Sequence, residues 1–131
     1  MPKNKNNKPT LLIVEDDLFL ADLYKTKLEL EGFETLVAYD GEKGLELAKK
    51  NRPALILLDL VLPKLSGFQV LESLKAEADY AAIPVILLTN LSQKVDVEKG
   101  LKLGANDYLI KAHFMPSEVV GKIKKILKLE D

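Results

Sequence analysis

Short, unbroken apolar runs alternate with longer amphipathic stretches along this chain. The runs are Leu11-Leu12-Ile13-Val14, Leu36-Val37-Ala38, Leu55-Ile56-Leu57-Leu58, Val85-Ile86-Leu87-Leu88 and Tyr108-Leu109-Ile110. The middle ones are apolar at successive positions rather than alternate ones. That marks strands covered on both faces, as in a parallel sheet sheltered by helices. Between the runs, residues 18–31 place Leu20, Leu23, Tyr24 and Leu28 at helical spacing, and Gly32 follows as a stop signal. Four further stretches are amphipathic: 42–51 with Leu45 and Ala48, 67–76 with Val70, Leu71 and Leu74, 93–103 with Val97 and Leu101, and 116–129 with Val119, Val120, Ile123, Ile126 and Leu127. The order is strand then helix, repeated five times. Right-handed crossovers turn that order into an α/β, doubly wound (βα)5 sandwich with helices on both faces of the sheet. The connections are short. One domain is therefore expected over residues 10–131, after a disordered polar tail over 1–9.

Composition narrows the function classes. The 131 residues are 47% hydrophobic and 30% charged, too apolar for a disordered chain. A formal net charge of −1 gives no electrostatic reason to bind nucleic acid or anionic lipid, so neither is expected as a direct partner. There is no cysteine, which excludes disulfides, thiolate catalysis and zinc–thiolate sites. No apolar run approaches the roughly 20 residues needed to span a bilayer. The first ten residues lack the apolar stretch of a signal peptide. A cytoplasmic location is the expectation.

In open α/β sheets, ligands bind outside the carboxyl ends of the strands. After the first run come Glu15, Asp16 and Asp17. After the third comes Asp59, after the fourth Thr89, and after the fifth Lys111. Carboxylates gathered at neighbouring strand ends repel and raise one another's pKa unless a cation intervenes. Magnesium is such a cation: hard, octahedral, and held by one or two carboxylates plus water and phosphate oxygens. Asp17 has an ordinary role as a cap of the first helix. Asp59 does not, since it ends an unbroken apolar strand. A carboxylate so placed can act as a nucleophile toward phosphorus. Lys111 and the metal would neutralise the charge on the incoming phosphoryl group, and Thr89 would donate a hydrogen bond to it.

The pieces LLIVEDD (11–17), ALILLDLVLPKLSGFQVL (54–71), IPVILLTN (83–90) and GANDYLIKA (104–112) together resemble the receiver domains of two-component response regulators. The resemblance implies a flavodoxin-like, five-stranded parallel sheet in order 2-1-3-4-5. It implies a signalling switch rather than an enzyme acting on other molecules, one that catalyses its own phosphorylation and dephosphorylation. The donor would be a sensor histidine kinase or a histidine phosphotransfer protein. On this likeness Asp59 accepts the phosphoryl group, and Asp16 and Asp59 bind magnesium directly. Val61 offers its backbone carbonyl, and Glu15 acts mainly through water. Thr89 and Lys111 contact the phosphoryl group, and Tyr108 is the switch aromatic. The surface of the helix after the fourth strand, the fifth strand and the last helix would report the change to an unidentified target, or form a phosphorylation-dependent homodimer.

Some positions depart from the family's pattern. Ala112 follows Lys111 where the family has proline with a cis bond. Asn90 follows Thr89 where the family prefers a very small residue, so slow phosphorylation by small donors is expected. Val61 and Leu91 are apolar at positions that place an attacking water, so slow self-dephosphorylation is expected. Met115 caps the last helix poorly, ahead of Pro116 at its first position. His113 reads as a solvated loop histidine, since one histidine without partners makes no metal site. A dehalogenase-like phosphatase would want an acid at position 61. A flavodoxin-like cofactor binder would want a Gly/Ser/Thr-rich loop where Glu15-Asp16-Asp17 stand. A pure interaction module would have no use for the acids, the threonine and the lysine together.

Overall fold

The computed structural model describes residues 8–90, 94–111 and 115–129. Five strands, β1 (Thr10–Val14), β2 (Glu34–Ala38), β3 (Leu55–Asp59), β4 (Val85–Thr89) and β5 (Asp107–Ile110), form one parallel sheet in the order β2-β1-β3-β4-β5. The helices are α1 (Leu18–Leu30), α2 (Gly41–Asn51), α3 (Gly67–Lys75), α4 (Ala78–Ala81), α5 (Lys94–Lys102) and α6 (Pro116–Leu127). The expected fold class and strand order are both present. Helix α4 was not expected: four residues are too few to show a helical period.

The helices start where local chemistry starts them. Asp17 caps α1 by accepting the Leu20 N–H at 3.1 Å, and Asp40 caps α2 by accepting the Lys43 N–H at 2.7 Å. Ser66 and Gln69 form a reciprocal capping box at α3. Met115, as expected, gives α6 no side-chain cap, and Pro116 fills the first helical position. Helices α1 and α6 lie on one face of the sheet, where Tyr24, Leu28, Val119, Val120 and Ile123 pack against Ile13, Leu55 and Leu57. Helices α2 and α3 lie on the other, where Ala48, Val70, Leu71 and Leu74 pack against Val14, Ile56 and Leu58. Successive residues of β3 thus enter opposite cores. This is why its sequence is apolar without interruption.

The register sets the site. Val14 is level with Leu58, so Glu15 follows its strand at the height of Asp59. Asp59 is level with Leu88, and Thr89 with Ile110. Each polar residue therefore sits at or just past the carboxyl end of its strand. Four expectations fall outside the described residues: most of the tail, residues 1–7, and those for Leu91, Ala112 and His113.

Candidate functional site

Glu15 is fully buried, directly after the buried strand β1. Its Oε2 accepts the Asp17 N–H at 3.0 Å, a contact made because the chain turns at once into α1. Its Oε1 faces Lys111 Nζ at 2.8 Å. The angles of that contact are poor: Oε1 is buried and receives no hydrogen bond. The interaction is an ion pair rather than a satisfied acceptor. Asp59 is 3% exposed. Its Oδ1 accepts the Val61 N–H at 3.1 Å, and its Oδ2 accepts from Lys111 Nζ at 2.6 Å. Gly67 packs so tightly on the backbone carbonyl of Asp59 that a Cβ there would collide with it. The nucleophile candidate is therefore fixed from both its side chain and its main chain.

Electrostatics follow from burial. Desolvation pushes the Glu15 carboxyl up to about 7, the charge of Asp59 pushes the same way, and Lys111 and the Asp17 N–H oppose them without winning. For Lys111, desolvation acts downward. Its contacts with Asp59 and Glu15 outweigh it and hold the ammonium above the usual lysine range. One cation thus serves two buried carboxylates, with Asp16 exposed beside them.

One oxygen from each of Glu15, Asp16 and Asp59 lies within 4.8 Å of the others. Three hard oxygen donors this close, one of them buried without a hydrogen bond, fit a small divalent cation such as magnesium. Asp17 stays outside the group, exposed and occupied with its helix, as expected. Val61 brings its N–H to Asp59, while its side chain is 63% exposed. Thr89 is 1% exposed at the end of β4, and its Oγ1 donates to the Asn90 carbonyl in a long bond of 3.3 Å. Tyr108 lies partly exposed on β5, below Lys111 in the chain. Thr89 and Tyr108 both line a cavity of about 230 Å³, together with Asn90, Lys94, Val97 and Ile110.

The sequence profile of the response regulator receiver domain matches residues 11–124. The chain belongs to the response regulator receiver family. This receiver domain is 41% identical over 123 residues to the DNA-binding dual master transcriptional regulator RpaA of Synechocystis, covering 94% of this chain and 51% of that protein. It spans about half the length of the curated relatives it matches. Among solved structures, the receiver domain of a Francisella response regulator superposes with a TM-score of 0.84 at 34% identity, covering 92% of this chain and 98% of that one. The receiver domain of a Pseudomonas aeruginosa sensor histidine kinase, with magnesium coordinated in its active-site cleft, gives 0.85 at 27% identity over 92% and 98%. The receiver fold is thus shared along nearly the whole chain. Among the described residues, no helix of the receiver is long and apolar enough to cross a membrane.

Backbone donors were missed from sequence. The N–H groups of Asp17 and Val61 orient the two buried carboxylates. No residue type announces them, because they arise from the turns that follow each strand.

Proposed function

We propose that this receiver domain accepts a phosphoryl group on Asp59, with magnesium held by Asp16, Asp59 and the Val61 carbonyl, and by Glu15 mainly through water. The observation that carries the reading is the placement of Lys111 against both Glu15 and Asp59, beside an exposed third acid. Bound magnesium would supply charge neutralisation for the phosphoryl oxygens. The chain's residues do the rest. Val61 N–H and the packing of Gly67 hold the Asp59 carboxylate in a fixed attitude. Its oxygen forms the new P–O bond as the P–N bond of a phosphohistidine breaks and the imidazole leaves. Lys111, which pairs with both Glu15 and Asp59, follows the added negative charge. Thr89 exchanges its long bond to the Asn90 carbonyl for a phosphoryl oxygen.

The donor is a histidine kinase or phosphotransfer protein. Leu18 and Phe19 support this, standing 67% and 72% exposed at the start of α1, directly after the acids. Large apolar side chains in water beside an anionic cleft favour a protein partner over a small donor. Output runs from Thr89 across the adjoining cavity to Tyr108, and so to the surface of α5, β5 and α6, which docks a target or a second copy. The Synechocystis relative is a DNA-binding regulator. The exclusion of nucleic acid drawn from net charge is corrected accordingly: a DNA-binding element can be the downstream partner, and the exclusion covers direct contact by this domain alone.

The test is incubation with acetyl phosphate and magnesium, read by intact mass. One phosphoryl mass should be gained and should be absent from Asp59→Asn. Gain of the same mass by the variant, or none by the wild type with either acetyl phosphate or a phosphorylated histidine kinase, would sink the proposal.

A further inference from the structure

The loop from Leu60 to Ser66 carries Val61 and joins β3 to α3. Its ends are anchored locally: the Leu60 N–H donates to Leu88 O at 3.3 Å, the Gly67 N–H donates to Leu60 O at 2.9 Å, and Ser66 caps α3. Its middle is held by a different helix. Gly41, the first residue of α2, donates its N–H to Pro63 O at 3.1 Å. The approach is so close that a Cβ on Gly41 would collide with the carbonyl of Leu65. Asp40 keeps Oδ1 on its own helix and places Oδ2 3.8 Å from Lys64 Nζ.

What α2 holds there is a strained turn. The Leu65 N–H donates back to Pro63 O at 2.8 Å, around Lys64 at φ +70°. A three-residue turn at positive φ is rare for a residue with a side chain, and it persists only where its surroundings over-determine it. Pro63 O accepts both the strained turn's own bond and the bond from Gly41. The N-terminus of α2 is thus part of what keeps the loop in shape.

We infer that Asp40 and Gly41 are positioning residues for the metal site: they clamp the loop that presents the Val61 carbonyl. The inference rests on the magnesium reading above. Magnesium demands near-ideal octahedral geometry at about 2.0–2.1 Å. A main-chain carbonyl two residues from the clamp meets that demand only while the loop keeps its shape. Gly41 itself touches neither ion nor phosphoryl group. Coupling between clamp and ion must be reciprocal, so bound magnesium must in turn protect the Gly41–Pro63 hydrogen bond.

Two measurements test this. Magnesium alone is titrated calorimetrically into the wild type, Gly41→Ala and Gly100→Ala. Gly100 lies in α5, where a Cβ would press on the end of the Leu87 side chain, a packing disturbance that touches neither the loop nor the acids. Gly41→Ala should bind magnesium about tenfold more weakly, as when a group that orients a ligand is lost, and Gly100→Ala should bind like the wild type. Amide exchange in the wild type keeps the test open should Gly41→Ala not fold. The Gly41 amide should slow when magnesium is added, and the Ala48 amide should not. Equal affinities for the two variants, or a Gly41 amide indifferent to magnesium, overturns the clamp while leaving the metal site standing. A wild type that binds no magnesium removes both.

Discussion

At the scale of single residues, the site is a balance between buried negative charges and one ammonium. Glu15 shows the imbalance. Its folded pKa, about 7, lies above the ordinary carboxylate value of 4.5. The folded protein therefore holds this proton more tightly than the unfolded one. The stability this contributes is fully present below pH 4.5 and is lost as pH rises through 7. Metal-free protein should lose on the order of 2–3 kcal/mol between pH 5 and 8 from this group. Glu15→Gln should flatten that slope, and saturating magnesium should do so too, because a divalent cation favours the charged carboxylate. Urea melts across this range, with and without chelator, check both; an unchanged slope in Glu15→Gln would discredit the electrostatic account. Asn90 is exposed directly after Thr89 and lines the adjoining cavity. Shrinking it to alanine should speed phosphorylation by acetyl phosphate, read as the rate of mass gain, and an unaltered rate would show that the side chain does not restrict access. The acids, Thr89 and Lys111 were legible because each directly follows an apolar run. The sharing of Lys111 between two carboxylates was not, because it depends on distances across three strands.

At the scale of elements, legibility followed burial. Strands β1, β3 and β4 are covered on both faces and announced themselves as unbroken apolar runs. Edge strand β2 begins at Glu34, earlier than its apolar centre indicates, because partly exposed positions tolerate Glu34 and Thr35. The positive φ of Lys64 was invisible, since it goes with the two hydrogen bonds accepted by Pro63 O, one of them from α2, rather than with residue type. Helix α6 is the element most open to improvement. Met115 occupies its N-cap in an extended conformation and offers no acceptor, so an initial N–H group is left to the backbone and solvent. Met115→Thr supplies the missing oxygen, and Met115 is 58% exposed, so little packing is given up. The substitution should stabilise the protein by about 0.5–2 kcal/mol, seen as a higher Tm. An unchanged or lower Tm would mean the first turn is already satisfied.

At the scale of the whole molecule, the question is how a charge added at Asp59 reaches a surface on the far side of β4. The sheet order places β4 between β3 and β5, so Thr89 stands between the acids and Tyr108. Strand pairing alone did not reveal that order in the sequence, where it came through family likeness, because adjacency in a parallel sheet is long-range information. The cavity of about 230 Å³ gives the proposed relay room to move. Close-packed cores resist continuous deformation, and an open cavity beside a partly exposed aromatic offers a second resting place for its ring. Helix α5 flanks that cavity and buries only Val97 and Gly100, so it is the described helix of comparable length least tied to the core. Beryllofluoride with magnesium should therefore shift backbone NMR signals of α5, β5 and α6 as well as those at the site. Thr89→Ala should separate the two groups of shifts. It leaves the acids and Lys111 in place, so the fluoride adduct should still form, but it removes the hydroxyl proposed to move toward the adduct. Perturbation should then stay at the ends of β1 and β3, with Tyr108 and α5 close to their free-state signals. Full propagation in Thr89→Ala would show that the signal leaves the site by another route, with Lys111 at the end of β5 the first candidate.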